Sequence, residues 1–95
     1  MKLVLSSEAL GDFERLRVFL AVHNPHASIR AAQAIIHAVE TLRDFPRRGA
    51  PSQAHGAREL LVPFGSGAYV MRYAIVDESD ELLILRIWHS RETRI

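Results

Sequence analysis

The sequence predicts an α+β domain with the order β-α-α-β-β-β, a helical hairpin packed on one face of a small, mainly antiparallel sheet. Three observations predict it. Two β-rich runs, Tyr69–Val76 and Leu82–His89, face each other across Asp77-Glu78-Ser79-Asp80, the pattern of an antiparallel hairpin. Two stretches with helical apolar periodicity meet at Asn24-Pro25. A short apolar run, Lys2–Leu5, precedes them as a first strand.

The elements follow in order. Ser6 and Ser7 can cap the first helix by accepting backbone N–H bonds that its first turn leaves open. Glu8 and Asp12 sit near the positive end of that helix dipole. Ala9, Phe13, Leu16 and Leu20 recur at spacings of 4, 3 and 4 and form one apolar face. Gly11 costs about 1 kcal/mol relative to alanine inside this helix. Asn24-Pro25 ends it, because the residue before proline is pushed out of the α region. The same pair can start the next helix, with Asn24 as cap and Pro25 at the first helical position.

The second helix carries two apolar rows, Ile29-Ala32-Ile36-Val39 and Ile35-Ala38-Leu42-Phe45. A stripe that wide suits a helix wedged between a partner helix and a sheet. From Pro25 to Asp44 it would be about 30 Å long. Phe45-Pro46 closes it, and residues 47–56, with two arginines, breakers and no periodicity, read as a loop. Arg58–Val62 is a strand and Phe64–Ala68 its turn. Leu82 to Trp88 is almost unbroken apolar sequence, which predicts a central strand buried on both faces. The sheet face away from the helices is expected to be partly open or covered by another molecule.

Ninety-five residues make one domain, spanning 1–95, large enough to bury roughly 60–70% of its unfolded surface. There is no cysteine, which excludes disulfides and thiolate zinc sites. His23, His26, His37, His55 and His89 show no ligand spacing on one helix, so no metal and no cofactor is expected. No apolar run approaches the ~20 residues that span a membrane, and no signal-peptide pattern precedes the first helix; a cytoplasmic protein without a membrane partner is expected. The net charge of +1 is too small to announce nucleic-acid binding. Its distribution is uneven: residues 46–76 carry Arg47, Arg48, Arg58 and Arg72 against Glu59 alone, so an anionic partner would dock there.

The order of elements, together with particular residues, resembles the RelE/ParE superfamily of bacterial toxin–antitoxin toxins. The matching pieces are Ser6-Ser-Glu-Ala9, Asn24-Pro25, Leu42-Arg-Asp-Phe-Pro46 with Arg48-Gly49, and Gly56-Ala-Arg-Glu-Leu-Leu-Val62. Tyr69-Val-Met-Arg-Tyr73 and Ile84-Leu-Arg-Ile-Trp-His-Ser-Arg-Glu92 complete the set, so the match covers nearly the whole chain. The resemblance implies one of two activities. RelE-type members cleave messenger RNA on the ribosome without a metal, using cationic side chains on phosphate and a tyrosine, histidine or glutamate for proton transfer. ParE-type members poison DNA gyrase through a recognition surface.

Much of the RNase set is missing. The strand matched to the lysine-bearing one offers Arg58 and Glu59 but no lysine; Val70 stands where an arginine usually follows the matched tyrosine, Tyr69; and residues 90–95 contain no tyrosine. His89 and Arg91 remain, matching a histidine of one RNase branch and a common arginine. The resemblance therefore favours a ParE-like gyrase poison with no catalytic residues. The alternative is a RelE-like RNase with Arg58, His89 and Arg91 as its site. In either branch a cognate antitoxin from the same operon is implied as partner in a hetero-oligomer, with DNA gyrase, or the ribosome and mRNA, as target. A third possibility is a degenerate binding module that poisons nothing.

Arg58, Arg72, Arg86, His89 and Arg91 are the target-binding candidates. Arg72 and Arg86 lie inside strands, where each must be paired, with Glu59, Glu81 or a neighbour, or reach a partner. Counting through a turn centred on Glu78-Ser79 puts Arg72 and His89 on one sheet face and Arg86 and Trp88 on the other, an assignment that a single bulge would reverse.

Overall fold

The computed structural model describes residues 1–54 and 56–92. Its elements are β1 (Lys2–Leu5), α1 (Ser7–His23), α2 (Pro25–Asp44), β2 (Ala50–Pro51), β3 (Arg58–Phe64), β4 (Gly67–Val76), a 3₁₀ turn (Asp77–Ser79) and β5 (Glu81–His89). They form one mixed five-stranded sheet in the order β1-β5-β4-β3-β2. β1 runs parallel to β5 and every other pairing is antiparallel. His55 lies outside the described residues.

The helix ends form where the side chains require. Ser6 Oγ accepts from the Ala9 N–H at 3.0 Å. Asn24 closes α1 by donating its N–H to Leu20 O at 2.7 Å, and opens α2 by accepting from the Ala27 N–H at 3.1 Å. One residue thus serves two helix termini, which keeps the hairpin connection to a single position.

The core lies between the hairpin and one sheet face. Ala9 and Leu16 of α1 and Ala31, Ile35, Ala38, Val39 and Leu42 of α2 pack on Leu60, Val62, Tyr69, Met71, Tyr73, Leu82, Ile84 and Ile87. Three expectations need correction. Of the row Ile29-Ala32-Ile36-Val39 only Val39 is buried, while Ile29 and Ile36 are exposed; of the row Ile35-Ala38-Leu42-Phe45 the first three meet the core and Phe45 is exposed. β5 is buried at Leu82, Ile84 and Ile87 and only half-buried between them, because among the described residues no helix or strand packs on the sheet's second face. The segment taken as a loop contains β2, a two-residue strand paired to Glu59 and Arg58.

The β4–β5 hairpin carries the bulge that reverses the face assignment. Val76 pairs with Glu81 and Tyr73 with Ile84, but Arg72 pairs with Arg86 and Tyr69 with His89, so Leu85 is the extra residue. His89 therefore shares the helix-facing side with Tyr69. Arg72 lies level with Arg86, not with His89.

Among the described residues no helix is long and apolar enough to cross a membrane.

Candidate functional site

β1 pairs with β5 only as far as Ile84, so among the described residues the outer edge of β5 from Leu85 to His89 has no neighbouring strand. Side chains take its place. Leu85 O accepts from Ser6 Oγ at 2.8 Å, and the Ile87 N–H donates to Asp12 Oδ2 at 2.9 Å. Ile87 O accepts from Arg15 Nη2 at 3.3 Å, and the His89 N–H donates to Glu92 Oε1 at 2.7 Å. Backbone groups left unpaired at a buried edge would be costly, and here α1 and the chain after β5 satisfy them.

Asp12 is the centre of this seam. It is 4% exposed and lies between Arg86, with Nε 2.8 Å and Nη2 3.0 Å away, and Arg15 Nη2 at 3.2 Å. Arg15 also pairs with Glu92. Burial alone would raise the Asp12 pKa, but hydrogen bonds from Arg86, the Ile87 N–H and Arg15 outweigh it and bring the carboxyl down to about 2.

His89 sits where the seam meets the β3–β4 turn. Its Nε2 lies 3.1 Å from Phe64 O, which can only accept, and its Nδ1 lies 3.2 Å from the Arg91 N–H, which can only donate. Together these bonds require the tautomer with the proton on Nε2, and they engage both ring nitrogens. The ring stands edge-on to Tyr69 at 5.0 Å. Beneath the second half of α1, a cleft of about 590 Å³ opens beside them. Leu16, Phe19, Leu20, Phe64 and Tyr69 form its apolar wall, and Arg15, His89, Arg91 and Glu92 stand at its rim. Burial, then the nearby Glu92 charge, pushes the Tyr69 phenol up from its ordinary value.

The other candidates are placed elsewhere. Arg58 donates to Gly49 O at 2.7 Å and Arg47 O at 3.3 Å, holding the loop after α2. Tyr73 holds the same loop: its hydroxyl donates to Pro46 O at 2.7 Å and accepts from the Gly49 N–H at 2.8 Å. A β-carbon at Gly49 would lie 2.6 Å from that hydroxyl, so the clasp needs glycine there. Arg72 pairs with Glu59 at 2.8 Å and lies 5.1 Å from the centre of the Trp88 ring. The five candidates thus do not form one constellation: His89 and Arg91 share the cleft rim, Arg86 belongs to the seam, and Arg58 and Arg72 lie toward β2 and β3. The bonding roles of Asp12, Arg15, Tyr73 and Glu92 were not found from sequence. For Asp12 the signal was present, since an acid stands on the face of α1 that buries Ala9 and Leu16. Among the described residues no group of three or more histidine, aspartate or glutamate side chains could hold a metal ion.

A helical hairpin on one face of a mixed five-stranded sheet is the architecture of the RelE/ParE superfamily toxins of type II toxin–antitoxin systems. The model of one family, described as ParE toxin of type II toxin–antitoxin system, parDE, matches residues 3–94, and the chain belongs to that family. Two relatives from Caulobacter vibrioides are similar along their length. Toxin RelE1 is 37% identical over 91 residues, covering 96% of this chain and 95% of its own; Toxin RelE3 is 36% identical over 93 residues, covering 95% of each. Among solved structures, a chain of the chromosomal ParDE system from P. aeruginosa superposes with a TM-score of 0.74 at 25% identity, covering 94% of this chain and 95% of its own. A chain of the intact E. coli RelBE toxin–antitoxin complex shares the fold, with a TM-score of 0.61 at 12% identity over 96% and 98% of the two chains.

Proposed function

We propose that this toxin arrests growth as a ParE-like poison of DNA gyrase and is held inactive by a cognate antitoxin encoded beside it. The observation that carries the reading is the state of His89. A histidine that serves as general acid or base needs a ring nitrogen facing the reacting proton. Both nitrogens of His89 are engaged by backbone groups, at 3.1 and 3.2 Å. Arg58, the second residue of the alternative site, is turned into the backbone of its own loop. A recognition surface makes no such demand on these groups. The superposed P. aeruginosa chain comes from a ParDE toxin–antitoxin system, which supports the antitoxin as partner.

Purified protein is expected to inhibit gyrase supercoiling at stoichiometric ratios, to increase cleaved DNA, and to lose both effects when the antitoxin is added. Full supercoiling activity at a large excess of toxin would overturn this reading.

The second reading is a RelE-like ribosome-dependent endoribonuclease. It is favoured by the two Caulobacter relatives being RelE toxins by name and by the position of Arg91 at the cleft rim beside His89. Primer extension on translated message separates the two. New cleavage ends that vanish in His89→Ala would establish the RNase; intact message during growth arrest would remove it.

A further inference from the structure

We infer that the outward face of α2 is a self-association seam, on which a second copy of this chain docks antiparallel about a two-fold axis near Gln33. The inference stands apart from the choice between gyrase and ribosome as target.

Three observations converge on that face. The first is its apolar row. Ile29 and Ile36 are 59% and 58% exposed and stand two turns apart on one side of the helix. Ala32 and Gln33, the exposed residues between them on that side, carry no charge. A single exposed isoleucine is ordinary. Two of them at heptad spacing, with a small residue and no charge between, form the pattern of a helix–helix seam. None of the four lines the cleft beneath α1.

The second observation is the set of charges left over at the two ends of the row. Among the described residues Arg30, Glu40 and Asp44 form no ion pair, although all three are exposed. Arg43, the one base of the last turn, is turned toward Met1 O.

The third is where those charges stand. A helix favours acids near its N-terminus and bases near its C-terminus. α2 has the reverse order: no acid in its first turn, His26 and Arg30 in its first two turns, Glu40 and Asp44 in its last two. That order is unfavourable in one helix and complementary to an antiparallel copy. In the two-fold pair, Glu40 and Asp44 of one copy meet the positive end of the other copy's α2, with its His26 and Arg30. Ile29 then packs against Ile36 on both sides of the axis, and Gln33 meets Gln33. The contact uses one patch on both partners, so it closes at two chains. The seam buries less than about 1,200 Å² in total, so the dimer is weak and forms at high local concentration.

The test uses the full chain, purified without antitoxin, in sedimentation and light scattering from micromolar to millimolar concentration. The average mass is expected to rise from one chain toward two and to level there. Ile36→Glu should stay monomeric throughout and melt within a few degrees of the parent, because the side chain is mostly in solvent. Glu40→Arg should weaken association about 10-fold by setting like charges together. Since the chain has no cysteine, a single introduced one reports on the axis. Gln33→Cys should join two copies through a short bismaleimide, and Ser79→Cys, in the turn before β5, should not. This readout decides the matter should Ile36→Glu fail to fold. A parent that stays monomeric, a dimer that Ile36→Glu leaves intact, or equal cross-linking at the two positions would overturn the seam. A mass that climbs past two chains would overturn the closed pair. Antitoxin binding lost in Ile36→Glu, with the parent monomeric on its own, would assign the face to the antitoxin and sink the proposal.

Discussion

The two halves of α1 solve opposite problems. The first half closes the open edge of β5 with Ser6, Asp12 and Arg15, in a seam where donors and acceptors meet at 2.8 to 3.3 Å. The second half leaves an apolar cleft beneath it and displays Phe19 and Val22. Polar side chains at a buried edge are costly unless each is matched, so the seam admits one geometry. An apolar wall tolerates many partners of the right shape. The comparison teaches that a seam of matched polar bonds and an open apolar surface are carried by neighbouring turns of one helix, and that substitutions should separate their effects on stability.

The largest expected effect is in the seam. Asp12→Ala leaves Arg86 and Arg15 without their shared partner and the Ile87 N–H without an acceptor. Losing the bonds of this buried carboxylate, with the half-exposed arginines free to turn to solvent, costs about 2–3 kcal/mol, read as a shift of the urea midpoint at unchanged slope. A loss below about 1 kcal/mol would erase the distinction between the two halves.

Acid should act at the same residue. The Asp12 pKa is about 2 in the folded chain against 3.8 as the ordinary value. A depressed carboxylate stabilises above its unfolded pKa, and that contribution is lost as pH falls from about 4 toward about 2. Its size is about 1–2 kcal/mol once nearby solvent is allowed for. Asp12→Asn should flatten the stability profile in that window relative to the parent; parallel profiles would show that Asp12 is not the group responsible.

Ser6→Ala removes both the helix cap and the bond to Leu85 O, and should cost about 1 kcal/mol in thermal unfolding. The smallest stability effect belongs to the other half of the helix. Phe19→Ser should change stability by no more than about 0.5 kcal/mol, since the side chain is mostly in solvent. Its consequence should instead appear in antitoxin affinity. A Phe19→Ser variant that unfolds more readily than Ser6→Ala would show that the contrast is drawn in the wrong place.

Much of the fold was legible because its signals are local. The Asn24-Pro25 junction, the limits of α2 and the partners of the β4–β5 hairpin follow from caps, breakers and periodicity. Three features were not legible, each for a physical reason. β2 is two residues long and contains a proline, so it carries no alternation to detect. The bulge at Leu85 depends on how β5 must bend between β1 and β4, and an unbroken apolar run gives no phase. The outward-facing row of α2 looks like a buried one, since periodicity shows that a face exists but not what covers it.

The candidate site was legible only in part. His89 and Arg91 were found, and they do share a rim. Asp12 was read as a residue favoured by the helix dipole, because its partners Arg86 and Ile87 stand 74 and 75 positions away. Arg58 was read as a cation displayed to a partner, because a sequence does not show carbonyl groups folding back over a guanidinium.

The stoppered edge of β5 has a consequence for behaviour in crowded solution. A bare strand margin invites another copy to dock and extend the sheet, the first step toward fibrils. Here that margin ends in carboxylate and guanidinium groups already joined to one another, so an incoming chain would have to break ionic contacts before gaining its first ladder bond. The chain thereby keeps one flank of its sheet from templating growth without adding a sixth strand.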